Sequence, residues 1–477
     1  MAVAASAPTR TSRSDLDEAV ARLRAAAPVF AELSVAERIA LAESMRAGYA
    51  RVAERSVRAA CAAKRIPIGT PAEGEEWIAG PFITILHLRL WIESLRSIER
   101  RATTAIGRVG RTFDGRVTVQ TFPSSRLDAA LFRGVLGEVH LLPGASDADR
   151  ASFYRRRDHD GRVVLVLGGG NVNSIPPLDV ATKMFNEGKV CLLKVNPVNA
   201  YLGPLLEEAF AEPIRRNFLA VLYGGADEGS YLAHHLGVDE VLITGSDRTH
   251  DLLVWGPAGP EREARMAQNR PVLEKPITAE LGNVSPVMVV PGPYSDRQLA
   301  WQAENIAGGV TNNASFNCNA NKLLITERGW AQRLTLLGDI ERVFAATPVR
   351  AAYYPGANDR YRQLTEGRAG VRTIGDSLEG ALPWTVLMDL DPDNATETAF
   401  RMEPFCSILS ETTVDSAGAV DFLERAVRFA NERLWGTLSA TIVIHPTTLA
   451  APGVAEALEQ AVVQLRYGTV GVNIWGA

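Results

Sequence analysis

From residue 161 onward, short apolar runs alternate with helix-length segments, and this alternation restricts the chain to a few folds. Arg162-Val-Val-Leu-Val-Leu167 is a continuous apolar run, the pattern of a strand buried on both faces. A helix is expected at about 177–187, ended by Gly188, and Val190-Cys-Leu-Leu193 is the next strand. Helix 201–216, strand 219–222, helix 228–235 and strand 239–243 continue the series. After a polar stretch at about 257–270 the pattern resumes with strand 285–290, helix 296–311 and strand 322–326. Strands alternating with helices build right-handed βαβ units, so two parallel-sheet α/β domains are expected.

The first 160 residues read differently. Residues 1–14 are small and polar, an arm without a core face. Leu16, Val20, Leu23 and Ala27 share one helical face. Ser34-Val-Ala-Glu37 reads as a capping box that opens a second helix, and a third covers about 75–98. Residues 116–142 have extended character, as a hairpin or an edge strand.

Composition excludes several classes. With 50 basic against 55 acidic residues the net charge is -5, which gives no basic face for nucleic acid. The opening MAVAASAPTRTSRSD lacks the apolar centre of a signal peptide. We read no apolar run near the ~20 residues of a membrane span, so a cytoplasmic protein is expected. Cys61, Cys191, Cys318 and Cys406 lie far apart without a CxxC pair, and neither a metal site nor a redox motif is indicated.

The glycine-rich loop Gly168-Gly-Gly-Asn-Val-Asn173 leaves a strand and enters a helix, the place where ligands of open sheets bind. It fails the dinucleotide fingerprint, because the third glycine would fall at Asn173. Cys318 lies in Thr311-Asn-Asn-Ala-Ser-Phe-Asn-Cys-Asn-Ala320, between a helix and a strand. A lone cysteine is most often a small buried hydrophobe. A loop rich in amide donors favours a reactive thiol instead. Glu280 lies in Thr278-Ala-Glu-Leu-Gly-Asn-Val-Ser-Pro286, beside a Gly-Asn turn, where a carboxylate can activate water.

Glu-Leu-Gly-Asn-Val-Ser-Pro, followed 38 residues after Glu280 by a cysteine with Asn313 ahead of it and Ala320 behind, resembles the aldehyde dehydrogenase superfamily. Further matches run in order: Gly170-Asn171, Leu193-Lys194, the pair Gly225 and Gly229, Val241-Leu-Ile-Thr-Gly-Ser246, Glu403-Pro-Phe405 and Tyr467-Gly-Thr-Val-Gly-Val-Asn473. The resemblance implies two Rossmann-like α/β domains, one for cofactor and one for catalysis, with an extended oligomerisation segment. It implies that Cys318 attacks an aldehyde as thiolate, that Asn171 and the Cys318 N–H hold the oxyanion, and that Glu280 activates water against the thioester. It assigns Lys194, Gly225, Gly229, Thr244, Gly245, Ser246, Leu281, Glu403 and Phe405 to an NAD or NADP site. On this view residues 1–114 belong to the cofactor domain and 115–160 form the oligomerisation hairpin. Residues 161–275 would bind the dinucleotide, 276–460 would be catalytic, and 461–477 would return toward the cofactor domain.

Five departures from the family pattern matter. Its glycine-glutamine ahead of the nucleophile is Ser315-Phe316 here. The Gly-Pro that closes its ExFGP segment is Cys406-Ser407. The glutamate its NAD-type members often carry three residues after the lysine is Pro197, so NADP is expected to be tolerated. The glycine four residues after the TGS serine is His250. The sequence stops at Ala477, where the family continues into a strand for a partner's sheet, so homo-oligomer formation is tied to that tail. Two rivals share the fold: a CoA-acylating enzyme acting on acyl-CoA, against which Glu280 argues, and a non-catalytic scaffold. Phe316 and Phe405 suggest an apolar or aromatic aldehyde.

Overall fold

A computed structural model describes residues 10–156, 159–375 and 378–476. Most of the N-terminal arm therefore lies outside the described residues. By internal contacts the chain divides into two units. The first comprises residues 1–60, 76–244 and 248–279, and the second 61–75, 245–247 and 280–477.

In unit 1, helix Arg13–Ala31 starts at the Ser12 cap and buries Leu16, Val20, Leu23 and Ala27, the face read from the sequence. The Ser34 capping box forms as expected: the Ser34 hydroxyl accepts from the Glu37 N–H, and the Glu37 carboxylate accepts from the Ser34 N–H. The extended segment is a three-stranded antiparallel sheet of β1 (Val109–Arg111), β2 (Val117–Phe122) and β3 (Gly137–His140). The main sheet holds β4 (Val163–Leu167), β5 (Val190–Lys194), β6 (Leu219–Leu222), β7 (Glu240–Gly245) and β8 (Ile277–Leu281), in the order β6-β5-β4-β7-β8. The pairs β4–β5, β5–β6 and β4–β7 are parallel. Every residue of β4 and β5 is buried, which is why both read as unbroken apolar runs. The strand order reverses between β4 and β7, so the ligand crevice expected of such a sheet opens at their carboxyl ends.

Unit 2 carries a second sheet of β9 (Pro286–Val289), β10 (Leu323–Glu327), β11 (Val371–Ile374), β12 (Trp384–Leu390), β13 (Ile408–Val414), β14 (Ser439–Val443) and β15 (Thr469–Val472). Its order is β11-β12-β13-β10-β9-β14-β15, parallel throughout except for β11. Helix Asp296–Thr311 joins β9 to β10 and buries Leu299, Ala303, Ile306 and Val310.

Two expectations need correction. The C-terminal strand does not return to the cofactor sheet: β15 pairs in parallel with β14, and Asn473 ties it down by exchanging hydrogen bonds with the Ile444 backbone. The stretch Pro71–Arg101 is long and apolar enough, by length and composition, to cross a membrane. Its Leu88, Ile92 and Leu95 nevertheless belong to the unit 1 core, so the apolarity serves packing there.

Candidate active site

The sequence-predicted residues of unit 2 gather at the amino ends of three central strands of its sheet. The Glu280–Ser285 segment leads into β9, the Cys318 loop leads into β10, and Glu403–Ser407 leads into β13. Because β9, β10 and β13 are adjacent parallel strands, these three segments meet at their amino ends. Asn283, fully buried, anchors the first segment by donating to the Ser439 carbonyl at 3.1 Å and accepting from the Ser285 hydroxyl at 2.7 Å. The Lys322 N–H in turn donates to the Ser285 carbonyl at 3.1 Å, joining the first segment to the second.

Gly282 explains the Glu-Leu-Gly pattern. A Cβ at that position would overlap the Glu403 carboxylate, so only glycine lets Glu403 lie against this backbone. Arg360 holds the Glu403 turn from the other side, donating to the Pro404 and Phe405 carbonyls at 2.9 and 3.1 Å.

Helix Asp296–Thr311 ends in a tight turn in which Asn313, Ala314 and Ser315 take φ values of 50, 54 and 68°. Three consecutive left-handed residues with side chains are costly, and the buried network around Asn313 compensates. The Asn313 side chain donates to the Phe316 carbonyl at 3.2 Å and to the Asn317 side-chain Oδ1 at 2.9 Å. Its own oxygen accepts from Lys64 at 3.0 Å and from the Tyr353 hydroxyl at 2.9 Å. The turn thus delivers Cys318 to that end of the sheet, partly exposed, while Cys61, Cys191 and Cys406 are buried. Where the resembled family has glycine, Ser315 sits at positive φ. Ser315→Gly should therefore stabilise the chain by roughly 0.5–1 kcal/mol, read as a higher denaturation midpoint. An unchanged or lower midpoint would mean that the turn is not strained there.

Burial pushes the Cys318 thiol up to about 11, with Glu403 and Glu280 adding to the rise and Lys322 opposing it. Burial also raises Glu280, although its side chain is accessible, and raises Glu403, against which the Lys322 ammonium pulls. The Cys318 N–H donates to no other group among the described residues. Phe316 packs against Tyr353, Tyr354 and Phe405, with ring centroids 4.8, 5.9 and 5.7 Å away.

The other predicted residues lie at or just beyond the carboxyl ends of the strands β4 to β7, with Gly245 and Ser246 falling in the 245–247 stretch of unit 2. Asn171 is buried in the loop after β4, Lys194 ends β5, and Thr244 and Gly245 end β7. Ser246 follows, immediately before helix Asp247–Trp255. Gly225 precedes helix Ala226–His234, where its N–H donates to Glu228 at 2.6 Å, and Gly229 is buried against Leu167. Lys194 is buried with no hydrogen-bond acceptor among the described residues, and burial lowers its ammonium to about 8 despite Glu228 nearby. A buried cation without an acceptor fits a ligand that brings oxygen atoms of its own.

Sequence reasoning missed Lys64, Lys322, Tyr353, Tyr354 and Arg360. Lys322, read only as the start of a strand, is fully buried. Tyr353 and Tyr354 stand in no motif, and only the adjacent pair of aromatics offered a signal.

The architecture is that of the aldehyde dehydrogenases. NADP-dependent glyceraldehyde-3-phosphate dehydrogenase from Bacillus halodurans C-125, solved with NADP, superposes with a TM-score of 0.66 at 15% identity, over 98% of this chain and 84% of that one. Gamma-glutamyl-gamma-aminobutyraldehyde dehydrogenase from Burkholderia cenocepacia J2315 gives 0.65 at 20% identity, over 98% and 82%. NAD-dependent aldehyde dehydrogenase from Sinorhizobium meliloti gives 0.59 at 20% identity, over 98% and 80%. At the sequence level, 133 residues are 29% identical to human retinal dehydrogenase 2, covering 28% of this chain and 22% of that protein. No family model matches the chain.

Proposed function

We propose that the chain oxidises an aldehyde to a carboxylic acid with NAD or NADP, through a thioester on Cys318. The observation that carries this reading is the convergence of one partly exposed thiol with Glu280 and Glu403 at the amino ends of three adjacent strands. With its thiol raised to about 11, Cys318 is protonated at neutral pH and must give its proton to a base as it attacks. Glu280, raised by burial, is the carboxylate suited to take it. The new C–S bond forms as the carbonyl electrons move to oxygen, and the Cys318 N–H, which has no acceptor among the described residues, would hold that charge. Asn171 is carried as the second donor on the resemblance alone. NAD or NADP supplies the acceptor for the hydride that leaves the carbonyl carbon. Once Glu280 has passed the thiol's proton to solvent, it takes a proton from water, which adds to the thioester and releases the acid as the C–S bond breaks, and that proton returns to the Cys318 sulfur.

The acceptor-poor ammonium of Lys194 supports a cofactor with hydroxyl or phosphate oxygens. Gly225, Gly229, Thr244, Gly245 and Ser246 would line its pyrophosphate side, since a helix N-terminus such as that after Ser246 favours an anion. Leu281, Glu403 and Phe405 would meet the nicotinamide end. Asn196 caps the turn Pro197–Leu202, so no carboxylate stands at 197 to repel a 2′-phosphate. Dissociation constants for NAD and NADP, by fluorescence titration, should therefore lie within about a hundredfold, or roughly 2.7 kcal/mol. A larger preference for NAD would overturn this part of the reading.

The test of the whole is reduced-nicotinamide absorbance over a panel of aliphatic and aromatic aldehydes, with and without CoA. Reduction without CoA is the expected result. Reduction only with CoA would assign the acylating chemistry, and none at all would leave a scaffold.

A further inference from the structure

Lys322 is used by no step above, yet it occupies the centre of the site. Its side chain is wholly buried. The ammonium donates to the Asn317 carbonyl at 3.1 Å and the Cys318 carbonyl at 2.6 Å, and it forms an ion pair with the Glu403 carboxylate at 2.8 Å. Two of the three belong to the thiol's own turn, and the third belongs to a segment from a neighbouring strand. The indole N–H of Trp475 also ties this turn, donating to the Asn319 carbonyl at 2.8 Å. Of these two ties to the Cys318 turn, the one from Lys322 carries charge.

We propose that Lys322 is a positioning residue that ties the Glu403 carboxylate to the Cys318 turn, so that the state of Glu403 sets the reactivity of the thiol. The proposal rests on the reading above only in naming Cys318 as the reactive group. Its physical basis is a balance of charges in a dry site. The charged or titratable groups facing Cys318 are Lys322, Glu403, Glu280 and Tyr354. Glu403 itself faces Lys322, Arg360 and Asp247. While Glu403 sits on the ammonium, it opposes the cation's field at the sulfur. Drawing the carboxylate away, as hydrogen bonding to a ligand's diol would, leaves that field uncompensated and favours the thiolate.

The test is the rate of Cys318 alkylation by iodoacetamide between pH 7 and 9.5, in the full chain without cofactor or aldehyde, read on the peptide that contains Cys318. Over this range the rate follows the thiolate fraction, moderated by the lower nucleophilicity of a more acidic thiol. Glu403→Gln, which keeps the shape and removes the anion, should speed alkylation roughly three- to tenfold. Lys322→Met, close in volume to lysine, should slow it by a similar factor. A purely structural clamp would give shifts of the same sign, because either change would loosen the turn. Opposite signs therefore support the proposal, and same-sign shifts or no shift overturn it. If far-UV circular dichroism shows that Lys322→Met does not fold, the Glu403→Gln rate decides alone: faster supports, unchanged or slower overturns. The reaction needs no turnover, so failure of the aldehyde reading leaves this result intact.

Discussion

Replacing Cys318 with serine is expected to lower kcat by about 10⁴-fold or more, to the limit of detection. The reason is that no other group can take its place. Cys61, Cys191 and Cys406 are buried, and burial pushes Cys406 up to about 12. A serine hydroxyl is a far weaker acid than a thiol already raised to about 11, so proton transfer to Glu280 becomes more uphill still. Cofactor binding should survive, because Lys194 lies in unit 1 and the exchange of sulfur for oxygen leaves the turn's hydrogen bonds in place. Steady-state kinetics beside a cofactor titration separates the two effects. Retained turnover in Cys318→Ser would remove the thiol from the chemistry.

Glu280→Gln should give a different failure. If Glu280 activates water, its loss slows thioester hydrolysis by about 10²–10⁴-fold. The amide cannot accept a proton, yet a fraction of thiolate at high pH still allows the first half of the reaction. Pre-steady-state mixing at elevated pH should then show one burst of reduced nicotinamide per active site, followed by a stall. The pH dependence follows the same group. Hydrolysis needs Glu280 deprotonated, and its carboxyl lies above the ordinary value because protein around it desolvates the charge. Activity in the wild-type chain should therefore fall on acidification at a higher pH than an unperturbed glutamate would give. The Glu280→Gln variant should lack that limb. A full-rate steady state in the variant would assign water activation elsewhere.

Much of unit 1 was legible because its strands are buried on both faces. Such a strand has no polar face to dilute the signal, so β4 and β5 appear as apolar runs with little else possible. Helix Pro260–Ala267 was read as a polar stretch for the opposite reason: none of its residues is buried, so no apolar stripe marks it. Cys318 and Glu280 were found by motif, but their meeting place was not. It depends on β9, β10 and β13 lying side by side, and strand order is a long-range property that local spacing does not encode. Lys322 shows the same limit. A lysine ahead of an apolar strand is usually solvated. Its burial here is made possible by Glu403, 81 residues further along the chain, and by two backbone carbonyls of the adjacent turn. The Ser315-Phe316 departure was visible as letters. Its meaning, a positive φ at 315 and an aromatic wall at 316, required the backbone.

The central claim is a covalent acyl group on Cys318. Its most direct test is mass spectrometry of the Glu280→Gln chain quenched during the stall, after incubation with an aldehyde that the wild type turns over and its preferred cofactor. The expected result is a gain equal to the aldehyde's mass less two hydrogen atoms, located on the peptide that contains Cys318 and removed by hydroxylamine. An unmodified Cys318 peptide under conditions where the cofactor has been reduced would contradict it.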